Sequence, residues 1–236
     1  MSKNYISDNS TTNYRYETKF ILDVSKFNCF QDWLFFKTKL KKKFPTRIVN
    51  SLYLDDIKFS SMKDNIIGIP ERSKKRFRWY ILNKKLSEVT FEEKIKKGKL
   101  GFKKIYPMQR PNEFHKSIEL KKILNNYFSE LKNNYSYFFK SPHFPVLLTS
   151  YQRSYFGDLE GNRVTLDEKI KFADLNIYSK INNVKKFNFN KKILEIKFDE
   201  SNMNSIHNMV KDFDFIPQRN SKYLTGLALL RNVFYL

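Results

Sequence analysis

The sequence predicts an α+β fold in which a closed, eight-stranded antiparallel β-barrel surrounds a polar, basic tunnel and helices lie outside it. About eight short segments alternate as strands do, so that residues two apart share one face. In several of them one face is charged and the other is apolar, as in Arg76-Phe77-Arg78-Trp79. Unpaired charges are costly to bury, and a closed barrel leaves no sheet edges. The charged faces therefore predict a wet interior, and the apolar faces predict an outer layer under helices.

Composition indicates one domain with an anionic partner. The 236 residues include 45 Lys and Arg against 24 Asp and Glu, a net charge of +21. Because the chain is also rich in Asn, Ile and Phe, the number of lysines partly reflects a compositional bias. The ten arginines are more informative, since four of them fall in the alternating segments. The single cysteine, Cys29, excludes an internal disulfide framework, and the three histidines lack metal-ligand spacing.

No segment has the pattern of a signal peptide or of an apolar membrane span, so we expect a cytoplasmic protein. Residues 1–13 are polar and predict a flexible arm, and residues 14–236 predict a single domain. No helix-turn-helix, zinc-finger or RNA-recognition signature is present, which argues against the nucleic-acid partner that charge alone would suggest.

Alternation and turn residues predict the order of the strands. We expect strands at 14–22, 48–54, around Arg76 and Glu92, and at 146–155, 162–172 and 192–198. A turn near Asn83 separates the Arg76 and Glu92 strands. The glycines of Lys96–Lys104 predict a basic hairpin; the segment lacks the Gly-Lys-Ser/Thr of a phosphate-binding loop.

Apolar stripes at helical spacing predict the helices. The first is expected at 24–43, with Phe27, Phe30, Trp33, Leu34 and Leu40 on one side and Pro45 as a stop. Others are expected at 57–64, 113–139 and 201–213. Lys222-Tyr223-Leu224 precedes a last apolar stretch to Leu236.

Four charged sets fall on single strand faces: Arg76/Arg78, Glu92/Lys94/Lys96, Arg163/Thr165/Asp167 and Glu195/Lys197. Taken one at a time, each is typical of an ordinary solvated strand face or a weak surface ion pair. Tyr53 and Trp79, taken alone, are typical of packing residues. It is the recurrence of the sets that favours a binding interior.

The order of these motifs resembles the vacuolar transporter chaperone (VTC) domain family, the polyphosphate polymerases of the CYTH-like, or triphosphate tunnel metalloenzyme, superfamily. The resemblance extends from about residue 14 to 224. It rests on Arg15-Tyr-Glu-Thr-Lys-Phe20, Ser51-Leu-Tyr-Leu-Asp55, Arg76-Phe-Arg-Trp-Tyr80, Glu92-Glu-Lys-Ile-Lys96, Ser150-Tyr-Gln-Arg153, Arg163-Val-Thr-Leu-Asp167, Leu194-Glu-Ile-Lys-Phe198 and Ser221-Lys-Tyr223.

The resemblance implies roles for individual residues. The groups that would hold the nucleotide triphosphate and the phosphate chain during catalysis are Arg76, Arg78, Lys94, Arg153, Arg163 and Lys222. Further substrate contacts would come from Lys19, Lys96, Lys104, Lys197 and Tyr53. Glu195 would bind Mn²⁺ or Mg²⁺, assisted by Glu17 and Glu92, because carboxylates suit hard cations that bridge phosphate oxygens.

The implied function is an ATP-dependent polyphosphate polymerase that transfers the γ-phosphate of ATP to a growing chain. Arg15 stands where hydrolytic relatives carry a glutamate, which favours the polymerase branch, whereas Thr225 stands where polymerases often carry a second lysine. A tunnel triphosphatase acting on tripolyphosphate and a catalytically silent polyphosphate- or nucleotide-binding module stay open as alternatives. ATP and polyphosphate are the expected partners, and a membrane protein partner is possible but unidentified.

Overall fold

The alternating segments form one antiparallel sheet of ten strands. The computed structural model describes residues 16–23, 27–98, 100–110, 112–211 and 216–231. The strands are β1 (Tyr16–Leu22), β2 (Lys41–Asp55), β3 (Glu71–Leu82), β4 (Lys85–Leu86), β5 (Thr90–Lys97), β6 (Leu100–Pro107), β7 (Phe144–Gly157), β8 (Arg163–Asp174), β9 (Phe187–Phe189) and β10 (Lys192–Phe198).

Within the described ranges, five α-helices accompany the sheet: α1 (Phe27–Asp32), α2 (Ser60–Ile67), α3 (Leu120–Tyr135), α4 (Met203–Val210) and α5 (Lys222–Arg231). A π-helical turn, Trp33–Lys37, extends α1, and short 3₁₀ turns occur at Ile181–Asn183 and Glu200–Asn202. Among the described helices, none has both the length and the apolarity needed to cross a membrane.

The prediction of a closed barrel is wrong. Eight strands follow one another in the order β1-β10-β8-β7-β2-β3-β5-β6, with β4 and β9 beside β3 and β8, and in the described part of the chain β1 and β6 remain unpaired edges. The sheet nevertheless curls until Lys94 on β5 reaches Glu17 on β1, with Nζ 3.5 Å from Oε2. Long charged side chains span a gap that is too wide for backbone hydrogen bonds.

The apolar faces of the strands point outward, as predicted. On one half of the convex side, α3 covers Leu52, Phe77 and Phe91, and all three are almost fully buried. On the other half, α1 and α4 cover Leu194, Ile196 and neighbouring residues. Burying apolar surface on this side stabilises the fold by about 25 cal/mol per Å². This free energy determines which face of each strand packs under the helices, and the opposite face carries the charges.

Helix α5 lies on the concave face, and no pattern in the sequence clearly predicted a helix there. Tyr223 and Leu227 pack there against Leu147 and Phe172. The approach is so close that a Cβ atom on Gly226 would lie 2.7 Å from Cδ1 of Phe172. Glycine is therefore required at this position by packing, and α5 fills part of the curled sheet.

The predicted helix at 24–43 is too long, and Pro45 does not stop it. Helical structure ends at Lys37, and β2 begins at Lys41, opposite Gly157 of β7. Pro45 lies inside β2 at a register shift between Phe44 and Arg47, where an absent N–H removes no ladder hydrogen bond. Pairing with β7 overrides the helical preference of the lysines.

Two other helices differ from prediction at their ends. Helix α2 starts at Ser60, because the carboxylates of Asp55 and Asp56 accept hydrogen bonds from the backbone N–H groups of its first turn. Helix α3 covers only Leu120–Tyr135 of the predicted 113–139, and Ser136 ends it in a left-handed conformation with φ of 50°.

Candidate functional site

Charged side chains from seven strands and one helix converge on the concave face of the sheet, and we call this group the concave site. It contains nine basic residues and four carboxylates: Lys19, Lys74, Arg76, Arg78, Lys94, Lys103, Arg153, Lys197 and Lys222, with Glu17, Glu92, Asp167 and Glu195. The excess of positive charge makes the empty site self-repelling and suited to a polyanion.

Glu92 of β5 organises the arginines of β3. Its Oε2 lies 2.6 Å from Nη2 of Arg76 and 3.7 Å from Nη1 of Arg78, and its Oε1 accepts a hydrogen bond of 2.8 Å from Lys103. Burial raises the pKa of Glu92, but these three cations outweigh it and hold that pKa well below its usual value. The carboxylate therefore stays ionised and fixes the direction of both guanidinium groups.

Asp167 of β8 joins two basic residues from different elements. It is fully buried, accepts hydrogen bonds of 2.5 and 2.7 Å from Nε and Nη2 of Arg153, and lies 2.5 Å from Nζ of Lys222 on α5. Burial raises the pKa of Asp167, but the charges of Arg153 and Lys222 lower it by a larger amount, so the net shift of this pKa is downward. This buried group couples the position of α5 to the sheet.

Glu17 and Glu195 form the third group, with two lysines between them. Lys19 Nζ is 2.6 Å from Glu17 and 3.7 Å from Glu195, and Lys197 Nζ is 3.9 and 2.7 Å from the same two carboxylates. Burial raises the pKa of Glu195, yet Lys197 and Lys19 keep it well below the ordinary value. Two ionised carboxylates thus lie side by side at the β1–β10 end of the site.

Tyrosines connect these groups. The hydroxyl of Tyr151 accepts a hydrogen bond of 3.2 Å from Arg78, while Arg153 and Lys222 lie 5.2 and 4.8 Å from the centre of its ring. Tyr53 accepts a hydrogen bond of 3.1 Å from Arg76, so it is both a packing residue and part of the site.

The Ser51–Asp55 and Ser221–Tyr223 motifs meet in space. The rings of Tyr53 and Tyr223 stack at 5.1 Å, and the Tyr223 hydroxyl donates to the buried carboxylate of Asp55. Their meeting holds α5 against the sheet, a role that the sequence alone did not indicate.

Most of the residues expected to bind substrate lie in this site, with two at its margins. Arg163 shares the face of Asp167 but is exposed, opposite Lys197 at the end of the strand. Lys96 is half-buried at the other end, beside Arg72. Thr165, the neighbour of Glu195, has a buried hydroxyl without a hydrogen-bond partner in the described structure.

The structure places Lys104 outside the site and Lys103 inside it. Lys104 is opposite Glu93 on the convex face, whereas Lys103 is opposite Lys94 and contacts Glu92. A shift of one residue along a strand reverses the face, and the glycine hairpin obscured the register in the sequence. Lys74, two residues before Arg76 on the same face, was also missed, although the two-residue period could have identified it.

The carboxylates suit a divalent cation only in part. In the described ranges, no three His, Cys, Asp or Glu side chains converge as a metal site. Glu17 and Glu195 are adjacent, and Mg²⁺ is commonly held by one or two carboxylates together with substrate phosphates. Among the described residues, Glu92 shares no ion-pair partner with these two, and its oxygens are engaged by Arg76, Arg78 and Lys103. The donor set thus fits a metal at Glu17 and Glu195 and not at Glu92.

Several solved structures are similar to this chain at low sequence identity. The PH1819 protein from Pyrococcus horikoshii OT3 matches 92% of this chain and 99% of its own, at 14% identity and a TM-score of 0.51. A putative adenylate cyclase from Vibrio parahaemolyticus matches 90% of this chain and 98% of its own, at 11% identity and a TM-score of 0.49. The putative adenylyl cyclase HpAC1 from Hippeastrum is described as having a dominant triphosphatase activity. It matches 93% of this chain and 95% of its own, at 12% identity and a TM-score of 0.49.

No curated protein sequence matches this chain. The sequence profile of the VTC domain, however, matches residues 14–231, nearly the whole chain. That range contains every strand and helix described above and all residues of the concave site. The protein belongs to the VTC domain family.

Proposed function

We propose that this protein is an ATP-dependent polyphosphate polymerase. The observation that carries the proposal is the concave site itself, in which nine basic side chains surround four carboxylates. Phosphoryl transfer requires a polyanion to be positioned and its spreading charge to be neutralised, and arginine forks with lysine ammonium groups suit both needs. Membership of the VTC domain family supports the same reaction.

In the proposed reaction, a terminal oxygen of the phosphate chain forms a bond to the γ-phosphorus of ATP, and the bond from that phosphorus to the β–γ bridging oxygen breaks. ADP leaves, and the chain is one phosphate longer. The attacking oxygen is already anionic, so no general base is required. Arg76 and Arg78, held by Glu92, would bind phosphoryl oxygens, and Arg153 and Lys222, held by Asp167, would bind the neighbouring phosphate.

Glu17 and Glu195 would hold Mn²⁺ or Mg²⁺ in exchange for part of their contacts with Lys19 and Lys197. The cation would neutralise charge on the phosphate oxygens. The Thr165 hydroxyl beside Glu195, which has no hydrogen-bond partner among the described residues, supports a ligand at this place.

A tripolyphosphatase is the second candidate, and the position of α5 favours it. This helix fills the concave face over Leu147 and Phe172 and so limits the length of chain that the sheet can enclose. A short substrate fits such a site better than a long product. A silent polyphosphate- or nucleotide-binding module is the third, with no turnover of either substrate.

The deciding experiment supplies purified protein with ATP and Mn²⁺ or with tripolyphosphate. Chain growth on gels or by phosphorus NMR supports the polymerase, whereas orthophosphate release from tripolyphosphate without growth supports the hydrolase. Binding of ATP and tripolyphosphate without chain growth or orthophosphate release would support the silent binding module. Glu195→Gln should abolish turnover and leave tripolyphosphate affinity within a few-fold of wild type.

Neighbouring lysines provide a matched pair of variants for the site. Lys103→Met should weaken tripolyphosphate binding about tenfold or more, because a charged hydrogen bond contributes about 1.5–3 kcal/mol. Lys104→Met removes the same charge from the convex face and should leave the affinity unchanged. Equal losses in the two variants would indicate diffuse surface binding, as expected of a nucleic-acid-type interaction.

A further inference from the structure

We propose that Lys74 binds a phosphate group of the substrate and becomes fully charged only when that phosphate is present, an inference that rests on the proposed function. Lys74 lies on β3, two residues before Arg76, and faces the concave site. None of the roles assigned above uses it.

Lys74 differs from Arg76, Arg78, Lys94 and Lys103 in its lack of an ion pair with any described carboxylate. Arg76, Arg78 and Lys103 all contact Glu92, and Lys94 contacts Glu17. Among the described residues, no carboxylate forms an ion pair with Lys74; its Nζ instead lies 2.9 Å from the Ser221 hydroxyl and 6.0 Å from the centre of the Tyr223 ring. A half-buried amine whose hydrogen-bond and ring contacts are neutral is a position suited to an anion.

The charged groups with the largest effect on this amine are all cations. Lys94 approaches from β5, Lys19 from β1, and Arg72 and Arg76 from β3 itself, while the α5 side contributes Ser221 and Tyr223. Glu17, on the same strand as Lys19, is engaged by Lys19 and Lys94. Burial, and then the charges of Lys94 and Lys19, lower the pKa of Lys74 to about 7.

A phosphate oxygen within hydrogen-bond distance would reverse this situation. Its negative charge favours the ammonium form, so the amine takes up a proton as the ligand binds. Withholding the charge until then reduces repulsion in the empty site, where the other basic residues already outnumber the carboxylates. Lys74 contacts Ser221, which directly precedes α5. A phosphate bound to Lys74 would therefore also affect the position of the segment that carries Lys222.

The test is calorimetric titration of the full chain with tripolyphosphate at pH 8, in two buffers of different ionisation enthalpy. At this pH an amine with a pKa of about 7 is about nine-tenths neutral. Wild type should therefore take up about 0.9 proton more per bound ligand than Lys74→Met. The other lysines with lowered pKa values, Lys94, Lys96 and Lys103, contribute to both proteins and cancel in the difference.

Two further variants sharpen the result. Lys74→Arg keeps a permanent charge, so it should bind tripolyphosphate with less proton uptake than wild type and with an affinity that falls less between pH 7 and 9. Lys75→Met removes the next lysine, which faces the convex side and pairs with Glu93, and should behave as wild type.

Each outcome decides the matter. The expected difference in proton uptake, together with an affinity loss of about tenfold or more for Lys74→Met at pH 7, supports the role of Lys74. Proton uptake or affinity equal to wild type in Lys74→Met overturns it, while tripolyphosphate binding by wild type leaves the proposed function in place. If wild type binds no tripolyphosphate, both proposals fail.

Discussion

Asp167→Asn removes the counter-charge from the most deeply buried ionic group of the concave site. The carboxylate is fully buried and holds Arg153 through two hydrogen bonds and Lys222 through an ion pair of 2.5 Å. The amide is nearly the same size but neutral, so the variant leaves two basic groups without their partner. No cavity is created, and the loss is therefore electrostatic.

The magnitude follows from burial. Breaking a buried ion pair by removing one partner costs about 3–5 kcal/mol, because the remaining charge stays desolvated. In a chain of this length 1 kcal/mol corresponds to about 2–4 °C, so we expect the unfolding midpoint to fall by roughly 6–20 °C. Asp174→Asn in the same strand is the matched control, since its ion pair with Arg231 is about half-exposed and should contribute less than about 1 kcal/mol.

The assay is thermal unfolding followed by circular dichroism, with and without saturating tripolyphosphate. A bound polyanion replaces the missing negative charge, so the ligand should raise the midpoint of Asp167→Asn more than that of wild type. A midpoint equal to that of Asp174→Asn, or a ligand effect smaller than in wild type, would refute the view that anions neutralise this site.

Three further changes test other parts of the structure. Gly226→Ala should destabilise the protein by about 1–3 kcal/mol in urea unfolding, because its Cβ would overlap Phe172; an unchanged midpoint would mean that α5 does not pack this closely. Tyr151→Phe should cost about 1.5–3 kcal/mol by leaving Nη2 of Arg78 without its hydrogen-bond acceptor, and a neutral result would argue against that contact. Although burial raises the pKa of Glu92, Arg76 lowers it below the unfolded value, so the contribution of Glu92 to stability should be constant above about pH 5 and be lost as the pH falls further. Stability that does not change down to pH 2 would contradict this assignment.

The prediction of strand faces from the sequence was reliable wherever the alternation was uninterrupted. Arg76 and Arg78 face the concave site, Phe77 and Trp79 face the outer core, and β10 has the predicted bounds. The prediction was less reliable next to glycine. In the hairpin at Gly98, a register shift of one residue moves a side chain from the concave to the convex face. The sequence therefore predicts a substrate contact for Lys104, whereas the structure places Lys103 in the site.

Helix ends and strand starts depended on partners that are distant in the chain. The lysines after Thr38 have the composition of a helix, yet pairing with β7 draws Lys41 and its neighbours into β2. The hydrogen bond between Tyr223 and Asp55 joins residues that are 168 positions apart. No local pattern carries that information.

The sequence by itself determined the order of the strands along the chain, the polarity of their two faces and the family. The reason is that the period of two and the motif order are properties of neighbouring residues. Only the tertiary structure decided that the sheet stays open at β1 and β6, that α5 occupies the concave face, and which acid holds which base. These features depend on side-chain size and charge brought together across the curled sheet. They arise from contacts between residues far apart in the chain, and such contacts leave no local trace in the sequence.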